Sequence, residues 1–369
     1  MQKTRAKWST LRKLTLTLTL GALATLATQV TTADVYTEPV GFYKVTATNN
    51  SDTITSLAFL RVPEYQGLVA SASGSTLSIS NSPGWTAGQW ATPNINAYFP
   101  YFVQIRSGSL QGAYYTITNN GSASLDVILN PETLSGVAAG DTIRIVPFWT
   151  LNTVFPGGTG IVASTTATAA GRRSQVLMPD QVTDGINLSA SAIYFYFNNA
   201  WRRAGSPATS NFNDVVILPD QSFTLRQATN ATDTTLYMAP GLVNSNLSRT
   251  PLYANPVASG LQQDNAVAIY RPSVQTLNES GLTNGFVASI SAAAAGRRDQ
   301  LLTFDNAVQA QNKSANAIYF FFNNGWRKVG SPATVDFGPT NVFTPGAGVI
   351  VRKATNDTAT TIWVNSPNY

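Results

Sequence analysis

The chain predicts an all-β protein made of tandem sandwich or barrel-like domains, with an internal duplication of about 125 residues. Three observations carry that expectation. The string AIYFYFNNAWRRAGSPAT at 192–209 returns as AIYFFFNNGWRKVGSPAT at 317–334, identical at 14 of 18 positions. Short runs of aromatic and β-branched residues, bounded by Gly, Pro, Asn and Asp, recur roughly every ten residues, the spacing of strands in sandwiches and barrels. The composition is 10% aromatic and only 11% charged, and its abundance of Thr, Ser and Asn suits strands and turns better than helices.

The first 33 residues read as a secretory signal peptide. Lys3, Arg5, Lys7, Arg12 and Lys13 precede the apolar stretch LTLTLTLGALATLAT, and Thr31-Thr32-Ala33 supplies small residues at the cut. Strict alternation of Leu14, Leu16, Leu18 and Leu20 with Thr would also suit a strand, but position and flanking charge favour export. The apolar stretch is too short and Thr-rich to span a membrane, and no later run is long enough. Five of the 23 Lys and Arg lie in this leader, leaving 18 against 18 Asp and Glu. A neutral mature chain lacks the excess positive charge on which nucleic-acid binding rests. There is no cysteine, so the exported chain is held by burial alone, a pattern that suits bacterial export.

The repeat extends beyond the quoted strings. GIVASTTATAAGRRSQ at 160–175 answers GFVASISAAAAGRRDQ at 285–300, and LRQATNATDTTLYM answers VRKATNDTATTIWV after one inserted residue. Asn130-Pro131 faces Asn255-Pro256, and Pro147 faces Pro272. These matches set domain expectations of 34–128 for an N-terminal β domain, 129–254 for the first repeat and 255–369 for the second. Within the repeat, AIYFYF reads as a strand with Ile193, Phe195 and Phe197 on one face and Tyr194 and Tyr196 on the other. Asn198-Asn199-Ala200 and Asn324-Gly325 read as turns; Ala200 fits a tight hairpin poorly, so a loop of three or more residues is expected in the first copy. A second strand opens at Trp201 or Trp326, and the Pro of SPAT ends the pair. Further strands are expected at GFYKVTAT, YYTITNN, DTIRIVPF, FTLRQAT, TLYM, NAVAIYRP, GVIVRKAT and TTIWVN.

The candidate binding residues are paired cations and indoles. Arg172, Arg173, Arg202, Arg203 and Arg226 recur as Arg297, Arg298, Arg327, Lys328 and Arg352, and Trp201 as Trp326. Asp180 pairs with Asp305, whereas Asp184, Asp214 and Asp233 face Gln309, Pro339 and Ala359. Cations kept while acids change suggest an anionic ligand or a neighbouring subunit's carboxylates. Trp201 and Trp326 beside Arg could also stack on sugar, one site per repeat. The plain alternative is that the arginines bond loop carbonyls and stack on the two indoles, worth about 0.5–1 kcal/mol each.

Catalysis has little to work with. The chain has no His and no Cys, which removes Ser-His-Asp and thiol chemistry and most zinc sites. The GGTG at Gly157 does not continue as a phosphate-binding loop. A glycosidase would need two carboxylates roughly 5–10 Å apart, and no acidic pair stands out by its spacing. No cofactor or metal site is expected; the TNDT loop at 355–358 belongs to no EF-type pattern.

The strings YTEPVGFYKV, SGSLQGAYYTITNN, AGDTIRIVPFWTLNTVF and YFYFNNAWR, in that order, resemble an uncharacterised group of exported β-rich proteins from Verrucomicrobia-type bacteria. The resemblance covers nearly the whole mature chain and implies a bacterial periplasmic, cell-surface or extracellular setting. It transfers no catalytic or binding residues. The expected role is structural and non-catalytic, with residues 34–46 adding a strand to a neighbour's sheet edge to give homo-oligomers or fibres. Polysaccharide binding through the Trp/Arg pairs is the alternative, and a carboxylate-dependent glycoside hydrolase the less favoured one.

Overall fold

Strands follow one another from Val40 to Asn365, and among the described residues no helical piece exceeds four residues. The computed structural model describes residues 38–255, 260–355 and 359–368; the expected leader at 1–33 lies outside them.

Two sets of strands share one plan. In the first unit, a five-stranded sheet runs Ala200–Arg203, Ala192–Phe197, Ser174–Met178, Ser222–Gln227, Ser51–Ser56. In the second, Gly325–Lys328, Ala317–Phe322, Gln300–Thr303, Gly348–Lys353 and Gln263–Ala268 stand in the same order. Each unit adds two small antiparallel pairs. The first joins Val40–Ala47 to Thr234–Leu242 and Trp149–Thr150 to Val216–Ile217. The second joins Ser248–Leu252 to Thr361–Asn365 and Gln275–Thr276 to Asn341–Phe343.

The first unit is interrupted. Between Ser56 and Trp149 a closed six-stranded barrel is inserted, formed by Tyr65–Ser73, Thr76–Ile79, Ser124–Val127, Tyr114–Asn120, Tyr101–Ile105 and Thr142–Pro147. The expected boundaries at 128/129 and 254/255 are therefore corrected. The first unit comprises 40–60 and 148–243, the barrel 64–147, and the second unit 248–365. Strand pairing is the reason. Thr142–Pro147, which the sequence match set against 267–272, bonds to barrel strands. The true counterpart of Gln263–Ala268 is Ser51–Ser56: Asp264 faces Arg352 as Asp52 faces Arg226. The matches at Asn130-Pro131 and Pro147 do not mark equivalent places.

The repeated hairpin closes more tightly than expected. Phe197 pairs with Ala200 and Phe322 with Gly325, so the loops are Asn198-Asn199 and Asn323-Asn324. All four asparagines have φ between 49° and 57°, the left-handed backbone that a two-residue hairpin requires and Asn tolerates. Ala200 is the first strand residue, where its side chain meets no conflict.

Period-two alternation fills the barrel. Val69, Leu77, Val103, Ile117, Leu125 and Ile143 point inward with Tyr115, while Tyr65, Trp85, Trp90 and Tyr101 pack edge-to-face with centroids 4.8, 5.8 and 5.3 Å apart in succession. Phe102 and Val146, on the outer face, join Leu60, Phe148 and Val216 of the first unit and Tyr270 of the second. Each such side chain fully buried contributes about 1.5–3 kcal/mol, so the barrel is anchored to both units.

At the outer strands of the two five-stranded sheets, loops of the same chain bond individual strand residues. Trp201 receives Asn213 Oδ1 on its N–H and the Phe212 N–H on its carbonyl, both at 2.9 Å. Trp326 is treated alike by Asp336 and Phe337, at 2.9 and 2.8 Å. At the opposite edges, Asn306 bonds both backbone groups of Ile54 at 2.9 Å, and the Asp264 N–H reaches the Gly185 carbonyl at 3.0 Å. The segment expected to reach a neighbour is also used at home: Val40–Ala47 pairs with Thr234–Leu242 and buries Tyr43, Val45 and Ala47. That pairing occupies one edge of Val40–Ala47, whose sheet has two strands; 34–37 lie outside the described residues.

Candidate functional sites

Trp201 and Trp326 are 0% exposed. Trp201 packs against Phe155 and Tyr196 at 5.4 and 5.9 Å, and Trp326 against Phe286 and Phe321 at 5.2 and 5.6 Å. A sugar-stacking platform needs an open ring face, and neither indole offers one; that expectation is corrected. Hairpin geometry explains the burial, because the first residue pairs after the turn place each indole on the core face beside a strand aromatic.

The arginines next to them act as latches. Arg202 donates to the carbonyls of Phe197, Asn198, Thr209 and Ser210 at 2.8–3.3 Å. Arg327 donates to those of Val335 and Asn323 at 3.0 and 3.4 Å. Both tie the following loop across the edge strand. Arg172 donates to the Ala167 carbonyl at 3.1–3.2 Å and stands 4.8 Å over the Phe195 ring. Arg297 does the same with Ala292 at 3.0 Å and Phe320 at 5.2 Å. The stacking partners are therefore phenylalanines, not the tryptophans expected. The preceding glycines are required by space: a Cβ at Gly171 would lie 2.0 Å from Thr166 Oγ1, and at Gly296 2.0 Å from Ser291 Oγ. Arg173 and Arg298 receive Ser164 and Ser289 Oγ on their backbone N–H at 3.2 and 3.0 Å, and each keeps a buried Nε without a hydrogen-bond partner. Every contact of these eight residues named here stays within its own unit.

The Arg226 and Arg352 pair joins the units. Arg226 grips Asp52 through Nε and Nη2, both at 2.7 Å, and gives Nη2 to Asn312 at 2.6 Å. Arg352 grips Asp264 at 2.7 and 2.9 Å and reaches Asn187 at 3.0 Å. The Asn312 N–H returns to Asp52 at 2.7 Å and the Asn187 N–H to Asp264 at 2.9 Å. Each unit thus inserts an asparagine loop into the other's ion pair, around a cleft of about 620 Å³. The Asp52 carboxylate, bonded bidentately, raises the Arg226 guanidinium further above its usual range. The expectation that these cations had lost their acids is corrected: the acids lie on strands 212 residues apart, which the 125-residue match cannot align.

A second cavity, of about 240 Å³, lies where the barrel and both units meet. Asp220 lines it at 7% exposure, and Tyr114 donates its hydroxyl to Asp220 Oδ1 at 2.7 Å. Burial pushes the Asp220 carboxyl up, against the opposing pull of Tyr114, its own backbone and Thr250. Burial also holds the Tyr114 hydroxyl far above its usual range, with the neighbouring acid adding to the effect. Sequence reading passed over Asp220. Its one signal is that the repeat sets it against Gly346.

Among the described residues no group of three or more acidic side chains is placed to hold a metal ion; 356–358 of the TNDT loop lie outside them. None of the described helices is long and apolar enough to cross a membrane. Compared with known protein families, curated proteins and solved structures, the chain shows no significant match.

Proposed function

We propose that this is an exported, non-catalytic structural protein of the bacterial cell surface, a β body locked from within rather than an enzyme or a sugar reader. The observation that supports it most is the use made of the repeated cations. Arg202 and Arg327 fasten loops over edge strands, and Arg226 and Arg352 close the junction between units. Covered edges suit a protein that must persist outside the cell without disulfides, because open edges recruit other chains. Assembly of copies belongs to this reading through faces other than those edges.

Fractionation of producing cells tests the setting, with the chain expected in the envelope or medium. A hydrolase screen over glycoside, ester and peptide substrates tests the chemistry, with no turnover expected. Turnover abolished by neutralising one carboxylate would overturn the non-catalytic reading.

A further inference from the structure

The junction cavity holds a carboxyl that the equivalent place in the second unit lacks. Asp220 and Gly346 occupy equivalent places: the Asp220 carbonyl accepts the Ala268 N–H and the Gly346 carbonyl the Ser56 N–H, both at 2.9 Å. The backbone bond recurs in each, and glycine is required in the second unit, where φ is +73° and a Cβ would lie 2.1 Å from the Tyr43 ring. The carboxyl at 220 is additional, buried, and forms none of the ion pairs seen among the described residues. Burying an acid without a cation is costly, and such a group in a cavity marks a functional-site candidate.

The walls narrow the ligand. Side-chain amides at the cavity are already engaged: Asn130 with the Glu132 N–H and Tyr114 carbonyl, Gln181 with the Ala266 carbonyl, Asn265 with both backbone groups of Tyr253. A sugar, which needs several free polar partners, finds few. Ile128 and Tyr253, 54% and 44% exposed, stand at the cavity as uncovered apolar surface. Asp220 retains acceptor capacity, since a carboxylate takes about four hydrogen bonds and Tyr114, Thr250 and its own backbone N–H use only part of it. A guanidinium needs both carboxylate oxygens in a flat fork, whereas an ammonium acts as a compact point charge. One carboxylate is too little for calcium, which takes six to eight oxygens. The volume, about 240 Å³, falls below the roughly 300–1,000 Å³ of drug-sized clefts.

We propose that the junction cavity binds a primary ammonium group on a short aliphatic stem, with Asp220 as counter-ion and the Tyr114 and Tyr253 rings beside the stem. The same chemistry is carried by a free alkylamine and by a lysine side chain of another protein.

Calorimetric titration of the full chain tests this with n-butylammonium chloride, n-butanol as its uncharged isostere, and Nα-acetyl-lysine N-methylamide. Saturable binding of the two ammonium compounds and none of butanol is expected. Asp220→Asn, checked for folding by thermal melting, should weaken binding about ten- to hundredfold, the worth of a hydrogen bond to a charged group. Tighter binding of the lysine amide assigns the ligand to a protein side chain, and tighter binding of butylammonium to a free amine; both support the site. Equal binding of butylammonium and butanol, no saturable binding of either ammonium compound, or undiminished binding by a folded Asp220→Asn overturns it. If that variant fails to fold, the comparison of charged and uncharged compounds on the parent chain decides.

Discussion

At equivalent places beneath their sheets, the first unit buries a neutral polar triad and the second an ionic one. In the first, Ser174 donates to Gln227 at 2.6 Å and Gln227 to Thr234 at 2.8 Å. In the second, Lys353 donates to Asp299 at 2.5 Å and to Thr361 at 3.2 Å. The backbone contacts match: Val162 N–H meets Ser174 Oγ at 2.7 Å, and Val287 N–H meets Asp299 Oδ2 at 2.8 Å. One backbone frame thus accepts either chemistry, but the ionic version needs more support. Lys353 also reaches the Gly285 carbonyl at 3.1 Å, and the Ala354 N–H reaches Asp299 Oδ1 at 3.0 Å. Burial pushes the Asp299 carboxyl upward, while the Lys353 ammonium and these amides pull it back. A buried pair of this kind gains little over a neutral replacement, yet losing one member strands a charge.

The sharpest way to break the comparison is Lys353→Met. It leaves Asp299 buried without a cation and should cost about 3–5 kcal/mol at neutral pH, against about 1–3 kcal/mol for Gln227→Met, which leaves only neutral groups unpaired. Denaturant midpoints decide; equal losses would refute the distinction. The Lys353→Met deficit should also shrink as pH falls, because protonation removes the stranded charge.

Next comes the pair of latches. Arg202→Ala frees four loop carbonyls and Arg327→Ala two, so the first should lose more stability, about 1–3 kcal/mol. Faster amide exchange at Phe212 in Arg202→Ala, and at Phe337 in Arg327→Ala, would locate the opened edge. Exchange Asp299→Ser with Lys353→Gln, and the second unit receives the first unit's triad; stability should change by less than about 1 kcal/mol. A large loss would show that the surroundings, not the triad, differ between the units.

The smallest effect is a slope. Asp220 has a raised native pKa, so the folded state binds its proton more tightly than the unfolded one. Its contribution is complete below the unfolded value, about 3.9, and is lost as pH rises through the raised native value. Tyr114, Tyr253 and Tyr270, the titratable groups acting on it, are themselves raised and stay protonated over that range. Asp220→Asn should flatten this part of the stability–pH curve, while Asp299, raised in the same direction, remains. A curve that superimposes on the parent's would exclude the assignment.

The amino-acid order by itself determined the local structure. Alternating aromatic and β-branched residues gave Ala192–Phe197, Tyr114–Asn120 and Gly348–Lys353 as strands, because a period of two is written within a few residues. It also showed that one hairpin is stated twice. Tertiary structure alone decided what each strand lies beside. The barrel is inserted inside the first unit, so Arg226 finds Asp52 across 174 residues of chain, while Arg352 finds Asp264 across 88. Constant-offset matching cannot see partners at unequal separations. Nor does a tryptophan beside an arginine reveal whether its ring faces solvent or Phe155, since the covering side chain comes from elsewhere in the chain. Asp220 became visible as a candidate site only where three modules closed around it, because burial is a property of the assembled neighbours and not of the residue.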